Sequence, residues 1–371
     1  MVVPKNGLFW ARAVGPLALG RTQPQRSEDG RGRGQVARRQ GNRPWLSGRY
    51  KGIGHFEVKS LNSRQQNAEQ MNQKLRSAIR SLRLRTLPLS LGGVVLGALL
   101  AASDFVVSPW VMVLLFLTTV FLQILSNLSN ELGDVLNGTD TPDRQGPDYG
   151  IAKGGLSVSD MKRLISVIAT ACALSGCGMI WVSFGTLFSI RSISLLFLGA
   201  LAIIAAMRYT LGPSPYGYRG LGDIAVFIFF GLVSVLGGYY VCAHTIISPM
   251  LILPAAAVGF FSVGVLNVNN IRDMKTDSAN RVTVAIKLGL KGSRIYQTVL
   301  IVLGWILLVC FTAVYKPSPW HYLFLIVFPL HLIHLKGIWS RTERALDPML
   351  PLLVMSTFIL CLILGISFIA F

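Results

Sequence analysis

From residue 86 onward the chain consists of long apolar runs separated by short polar breaks. Nine of the runs approach the ~20 residues that a membrane-spanning helix needs. They cover approximately 86–102, 110–127, 164–185, 193–207, 224–242, 246–268, 298–315, 320–335 and 349–371, the fourth and eighth being the shortest. The pattern predicts an all-α polytopic membrane protein with nine transmembrane helices.

Composition excludes the soluble alternative. A chain of 371 residues could form two or three soluble domains, but 52% of its residues are hydrophobic and 14% charged, against roughly 25% charged in soluble proteins. Mean hydropathy is +0.55. The net charge of +19 has the size of a nucleic-acid signal but not its distribution. Residues 1–85 hold 18 of the 35 Lys and Arg, and most others sit in short loops. Loops after the even-numbered runs carry fifteen, and loops after the odd-numbered runs carry two. The positive-inside rule therefore predicts a cytoplasmic N-terminus and an external C-terminus. The expected partner is a lipid bilayer, with no nucleic acid. The five cysteines (Cys172, Cys177, Cys242, Cys310, Cys361) lie in or beside apolar runs without metal spacing. They read as small buried hydrophobes, not a disulfide framework.

Residues 1–70 differ in character from the rest of the chain. They hold 13 Lys and Arg, the acids Glu28, Asp29, Glu57 and Glu69, and no sustained period. Such a stretch buries too little apolar surface to fold, so it is expected to be a disordered basic extension. An Arg-rich transit peptide is one reading, against which the acids count. An RNA-binding tract at Arg31-Gly32-Arg33-Gly34 is a second. A working start at Met71, which leads into a basic amphipathic stretch and the first run, is the favoured third. Residues 71–371 are then the membrane domain.

That domain has only twelve acids, and nine fall at the ends of runs predicted to be cytoplasmic. Glu131, Asp134, Asp140, Asp143, Asp148 and Asp160 come after run two, Asp223 opens run five, and Asp273 and Asp277 come after run six. Carboxylates at membrane depth are costly and mark function. Asn130–Asp134 and Asn269–Asp273 are both Asn-x-x-x-Asp, a spacing that puts the two side chains on one helix face. Both pairs are offset by 139 residues, suggesting a duplicated unit whose motifs face one cavity. Asp140 extends the first motif and Asp277 the second. Oxygen donors without His or Cys point to a hard cation, and Mg²⁺ is held by a few carboxylates with phosphate oxygens and water. Arg144, Lys153, Arg208, Arg219, Arg272 and Lys275 lie among the acids. A mixed rim of this kind suits a metal–diphosphate, the acids holding metal and the bases neutralising phosphate.

The stretches Asn130-Glu-Leu-Gly-Asp134-Val-Leu-Asn-Gly138-Thr-Asp140 and Asp273-Met-Lys-Thr-Asp277 resemble the two aspartate-rich motifs of the UbiA superfamily of intramembrane aromatic prenyltransferases. Three further stretches resemble its menaquinone-pathway branch, which prenylates 1,4-dihydroxy-2-naphthoate: Arg83–Pro88, Tyr209–Asp223, and Asn270–Asp273 running on to Arg281–Gly289. The resemblance covers about residues 75–371. Glu131 stands where the family often has Asp, and Asp223 where Glu is common.

The resemblance implies a nine-helix bundle around a central cavity. It implies Mg²⁺-dependent prenyl transfer from a polyprenyl diphosphate to 1,4-dihydroxy-2-naphthoate, with loss of diphosphate and CO₂. Asn130, Asp134, Asp140, Asn269, Asp273 and Asp277 would be the metal ligands. Arg83, Arg144, Arg208, Tyr209, Arg219, Arg272 and Lys275 would bind substrates, with Asp223 and Lys153 catalytic. Arg219, or else Arg208, would pair with the acceptor's carboxylate. The expected home is a bacterial inner membrane, a plastid membrane being the alternative. Oligomeric state and prenyl length are not legible. The rivals are a family member with another acceptor, such as 4-hydroxybenzoate or homogentisate, and a cation transporter. A transporter would carry its acids near the midplane on broken helices. His331 and His334, at i and i+3 with no carboxylate nearby, are read as a hydrogen-bonding pair and not as a metal site.

Overall fold

The computed structural model describes residues 51–138, 150–151, 154–278 and 280–371, with side chains from residue 65. Of the described residues, those up to Met71 and those from Asn72 onward fall into separate units. Helix α1 (Lys51–Ser81) is basic and polar. It begins inside the stretch assigned above to the extension. Its last turns bury Ser77 and Ser81, and Lys74 pairs with Asp160 at 3.2 Å.

Among the described residues, nine helices are long and apolar enough to cross a membrane. They are α2 (Leu87–Asp104), α3 (Pro109–Leu136), α4 (Val158–Phe184), α5 (Ile190–Arg208), α6 (Gly222–Ala243), α7 (Ile252–Arg272), α8 (Val284–Val314), α9 (Pro319–Ser340) and α10 (Met349–Ala370). Each overlaps one of the nine apolar runs. A helix satisfies its own backbone polar groups, which lipid cannot do, so an apolar run of this length has few other solutions.

Local chemistry fixes the ends. Proline lies in the first turn of α2, α3 and α9, where its missing N–H costs nothing. Ser157 and Asp160 form a reciprocal capping box at the start of α4. Asp160 is thereby committed to a helix end. Thr283 caps α8 through the Ile286 N–H. Gly289 breaks the first turns of α8 with φ 66°, and Ser293 Oγ restores a bond to its carbonyl at 2.7 Å.

The central helices α2 and α7 pack through small residues. α2 lies against α6 and α10, and α7 against α6 and α8. No Cβ would fit at Gly97, which presses on the Val235 carbonyl. From Phe227 to Gly237, α6 is wound as a π-helix, a form frequent at functional sites. The helix α5 packs on α3 and α4.

Spans six to nine are joined by buried polar bonds. Asn267 donates to Gln297 at 2.9 Å, Gln297 meets His334 at 3.1 Å, and His334 meets the Met349 carbonyl. Trp305 donates to His331 Nδ1 at 2.9 Å. Both histidines are thus taken up by hydrogen bonds. At the far end of the bundle, Asp104 accepts from Tyr315 at 3.0 Å and Tyr239 at 3.3 Å and pairs with Lys316.

Candidate active site

A cavity of about 670 Å³ runs into the bundle. Its polar end is lined by Arg83, Asn130, Asp134, Asp223, Asn269, Asp273, Asp277 and Arg281, and its depth by apolar side chains such as Leu115, Ile180, Phe229, Phe230 and Val233. The two Asn-x-x-x-Asp motifs, one near the end of α3 and one at the end of α7, therefore face the same space.

The first motif is held by the segment after α5. Thr210 Oγ donates to the Ser129 carbonyl at 2.9 Å and to Asn130 Oδ1 at 3.2 Å. Gly133 makes this approach possible, because a Cβ there would lie 2.5 Å from the Thr210 side chain. Asp134 accepts from Tyr218 at 2.7 Å and from Arg281 Nη2 at 2.8 Å. Glu131, between them in sequence, accepts the Ile151 N–H at 2.9 Å.

The second motif is held close to home. Arg272 grips Asp273 with two bonds, at 2.8 and 2.6 Å, and Asp347 with a third at 2.9 Å. Asp277 lies 3.6 Å from Arg281 Nε. Asp223, buried at the start of α6, accepts from Tyr296 at 2.9 Å. Tyr209 lines the cavity and meets Tyr216 edge-on at 5.4 Å. Burial raises the phenol pKa of both, Tyr216 to about 12, so each stays a neutral hydrogen-bond donor.

Not every predicted side chain reaches this cavity. Arg208 and Arg219 are exposed and absent from its wall. Arg208 stands in the last turn of α5, where a cation suits the helix dipole. Around Arg219 the backbone pairs with Val282 like a short strand. Tyr216–Tyr218 forms a short 3-10 turn, from which the Tyr218 hydroxyl reaches Asp134 while Arg219, just past the turn, is exposed. The structure does not bring either arginine, expected to meet the acceptor's carboxylate, to the cavity wall. Lys275 is likewise away from the cavity wall: its side chain is 84% exposed and its ammonium lies 2.5 Å from Glu343, which raises its pKa. Arg272 lines the cavity, but its bonds brace Asp273 and Asp347. Asp140, Arg144 and Lys153 lie outside the described residues.

Arg281, Tyr218 and Tyr296 have roles here that the sequence reading does not assign them. Arg281 carries a signal, since it stands four residues after Asp277. Tyr218 falls inside the Tyr209–Asp223 stretch but its partner does not show there, and Tyr296 carries no signal, their carboxylate partners being 84 and 73 residues away.

Among the described residues no three His, Cys, Asp or Glu side chains form a ready metal cage. The cavity offers oxygen donors from two sides, namely Asn130 and Asp134 opposite Asn269, Asp273 and Asp277. This set fits Mg²⁺, which takes one or two carboxylates together with phosphate oxygens and water.

The chain belongs to the UbiA prenyltransferase family, which matches residues 90–368. It is 40% identical over 284 residues to the 1,4-dihydroxy-2-naphthoate octaprenyltransferase of Escherichia coli (strain K12), covering 76% of this chain and 91% of that protein. It is 38% identical over 305 residues to the Haemophilus influenzae protein of the same description, covering 80% and 98%. Its fold is similar to that of a UbiA homolog from Archaeoglobus fulgidus bound to GPP and Mg²⁺, with a TM-score of 0.57, 14% identity, and coverage of 80% of this chain and 100% of that one. An apo UbiA homolog from Aeropyrum pernix K1 gives a TM-score of 0.57 at 17% identity, covering 76% and 97%.

Proposed function

We propose that the chain transfers a polyprenyl group from polyprenyl diphosphate to 1,4-dihydroxy-2-naphthoate, releasing diphosphate and CO₂ and giving demethylmenaquinol. The observation that carries the reading is one cavity with two carboxylate motifs at its mouth and an apolar depth. The relatives named for this reaction span most of the chain.

Mg²⁺, held by Asp134 on one side and Asp273 and Asp277 on the other, would draw charge from the leaving diphosphate. Arg272 holds Asp273 in place through two hydrogen bonds. The apolar depth takes the prenyl tail and excludes water, which would quench an allylic cation. The allylic C–O bond breaks with its electron pair on the diphosphate. The ring carbon bearing the carboxylate then bonds to the allylic carbon. Asp223 accepts the proton of a ring hydroxyl as charge leaves the ring. The carboxylate departs as CO₂, its bonding pair restores the aromatic ring, and Asp223 returns the proton. Tyr296 holds Asp223 in place for both transfers. The charge bias of the loops supports a cavity mouth on the cytoplasmic side.

Membranes containing the chain, given Mg²⁺, a polyprenyl diphosphate and a panel of aromatic acids, test this directly. Prenylated product with stoichiometric CO₂ from 1,4-dihydroxy-2-naphthoate is expected. Preference for 4-hydroxybenzoate or homogentisate would overturn the acceptor.

A further inference from the structure

We propose that Arg281 is an internal counter-cation of the two carboxylate motifs, displaced from Asp134 when metal and diphosphate enter and then bound to the diphosphate. This rests on the diphosphate reading above and adds the step by which the site changes hands.

The guanidinium lies between the motifs. Nη2 is 2.8 Å from Asp134 Oδ1 and Nε is 3.6 Å from Asp277 Oδ1. It also stacks 4.7 Å over the Tyr218 ring, whose hydroxyl donates to the same oxygen of Asp134. The Asp134 and Asp277 side chains are 4% and 9% exposed. Two carboxylates this buried on one cavity repel each other, and a cation between them relieves the repulsion. In the structure, Arg281 stands at the carboxylates a divalent ion would use.

Arg272 provides the contrast. Its three bonds hold it to Asp273 and Asp347, and removing it would strand a buried charge. Arg281 is instead shared between the two motifs. Its Nε lies 3.6 Å from Asp277 Oδ1, and its backbone is fixed on both sides. The Val282 N–H bonds to the Tyr218 carbonyl at 2.9 Å, and Thr283 caps α8. The side chain can therefore swing while the main chain stays in place. A planar guanidinium with five donors suits a phosphate as well as a carboxylate. Once the diphosphate is present, Arg281 exchanges one anionic partner for another and no charge is left unpaired.

The consequence is a pair of effects with opposite sign. Metal alone must compete with Arg281 for Asp134, whereas metal with diphosphate gains from Arg281. The test uses the purified full chain in lipid nanodiscs, with Mn²⁺ as a paramagnetic probe and a prenyl thiodiphosphate that does not ionise. In Arg281→Met, Mn²⁺ alone should bind about fivefold tighter. The thiodiphosphate with Mn²⁺ should bind about tenfold weaker. Arg281→Lys should restore most of the thiodiphosphate affinity, and thermal unfolding of both variants reports their folding. Weakening of both affinities together in folded Arg281→Met, or no change in either, would overturn the counter-cation role while leaving the diphosphate site intact. If the unaltered chain binds neither Mn²⁺ nor thiodiphosphate, the diphosphate reading fails and the proposal falls with it.

Discussion

At the end of α3, Asn130 and Asp134 take their partners from distant parts of the chain: Thr210, Tyr218 and Arg281. At the end of α7, Asp273 takes its partner from the next residue, and Arg272 is steadied by Asp347. The helix behind it is also tied to its neighbours through Asn267, Gln297 and His334. The two motifs share a spacing and differ in support. The α7 motif is assembled once its own helix is packed. The α3 motif is complete only when Thr210, Tyr218 and Arg281 have docked on it. Two halves with one pattern thus divide the work, one giving a fixed wall and the other a wall whose charge is balanced by a movable arginine.

The largest effect should be common to both halves. Asp134→Ala and Asp273→Ala should each reduce turnover at least about 100-fold, the loss of a metal ligand being worth several kcal/mol. Product formation per unit of membrane-inserted protein checks this. Activity above about a tenth, a loss of only ~1.4 kcal/mol, would remove that residue from the metal role.

Asp223→Asn separates the acceptor from both motifs. It should retain metal-dependent binding of a diphosphate analogue and lose turnover by about 100-fold. Binding and product formation are measured on the same purified sample. Normal turnover, or loss of analogue binding as complete as in Asp273→Ala, would return Asp223 to the scaffold or the metal site.

The difference in support is tested by stability. Thr210→Val strands the Asn130 side chain and a buried carbonyl, costing about 1–3 kcal/mol. Asp347→Asn breaks a half-exposed ion pair and should cost about 1 kcal/mol or less. Thermal unfolding in one detergent ranks them, and the reverse order would sink the contrast between distant and local support.

The smallest effect is expected at the other end of the sequence. Deleting residues 1–70 should leave turnover within about twofold, as for changes away from packed contacts. The contacts that α1 makes through Lys74, Ser77 and Ser81 lie beyond the cut. A truncated chain that is stable in the membrane yet inactive would show a role for the segment.

The helices were legible because an apolar run of about 20 residues has few structures open to it in lipid. Their polar ends were less so. Hydropathy stops the second run near residue 127, while α3 continues to Leu136 and carries its motif on the added turns. The recurring Asn-x-x-x-Asp spacing revealed Asn130, Asp134, Asn269 and Asp273 because two residues one helical turn apart share a face. It could not reveal that Arg281 meets Asp134, since 147 residues separate them. Nor could residue type say which way Arg219 faces, since it follows a short 3-10 turn whose geometry hydropathy does not report.

Asp104 has a mechanical consequence. It draws Tyr239, Tyr315 and Lys316 onto one carboxylate, so α2, α6 and the end of α8 are knotted together at the far end. α5, only 11% of whose apolar window is buried, is the least enveloped of the nine spans. A guest with a long chain meets one stiff side and one compliant side. On the function proposed above, a long prenyl chain would find room along α5, where only lipid has to move, and not at the end tied by Asp104.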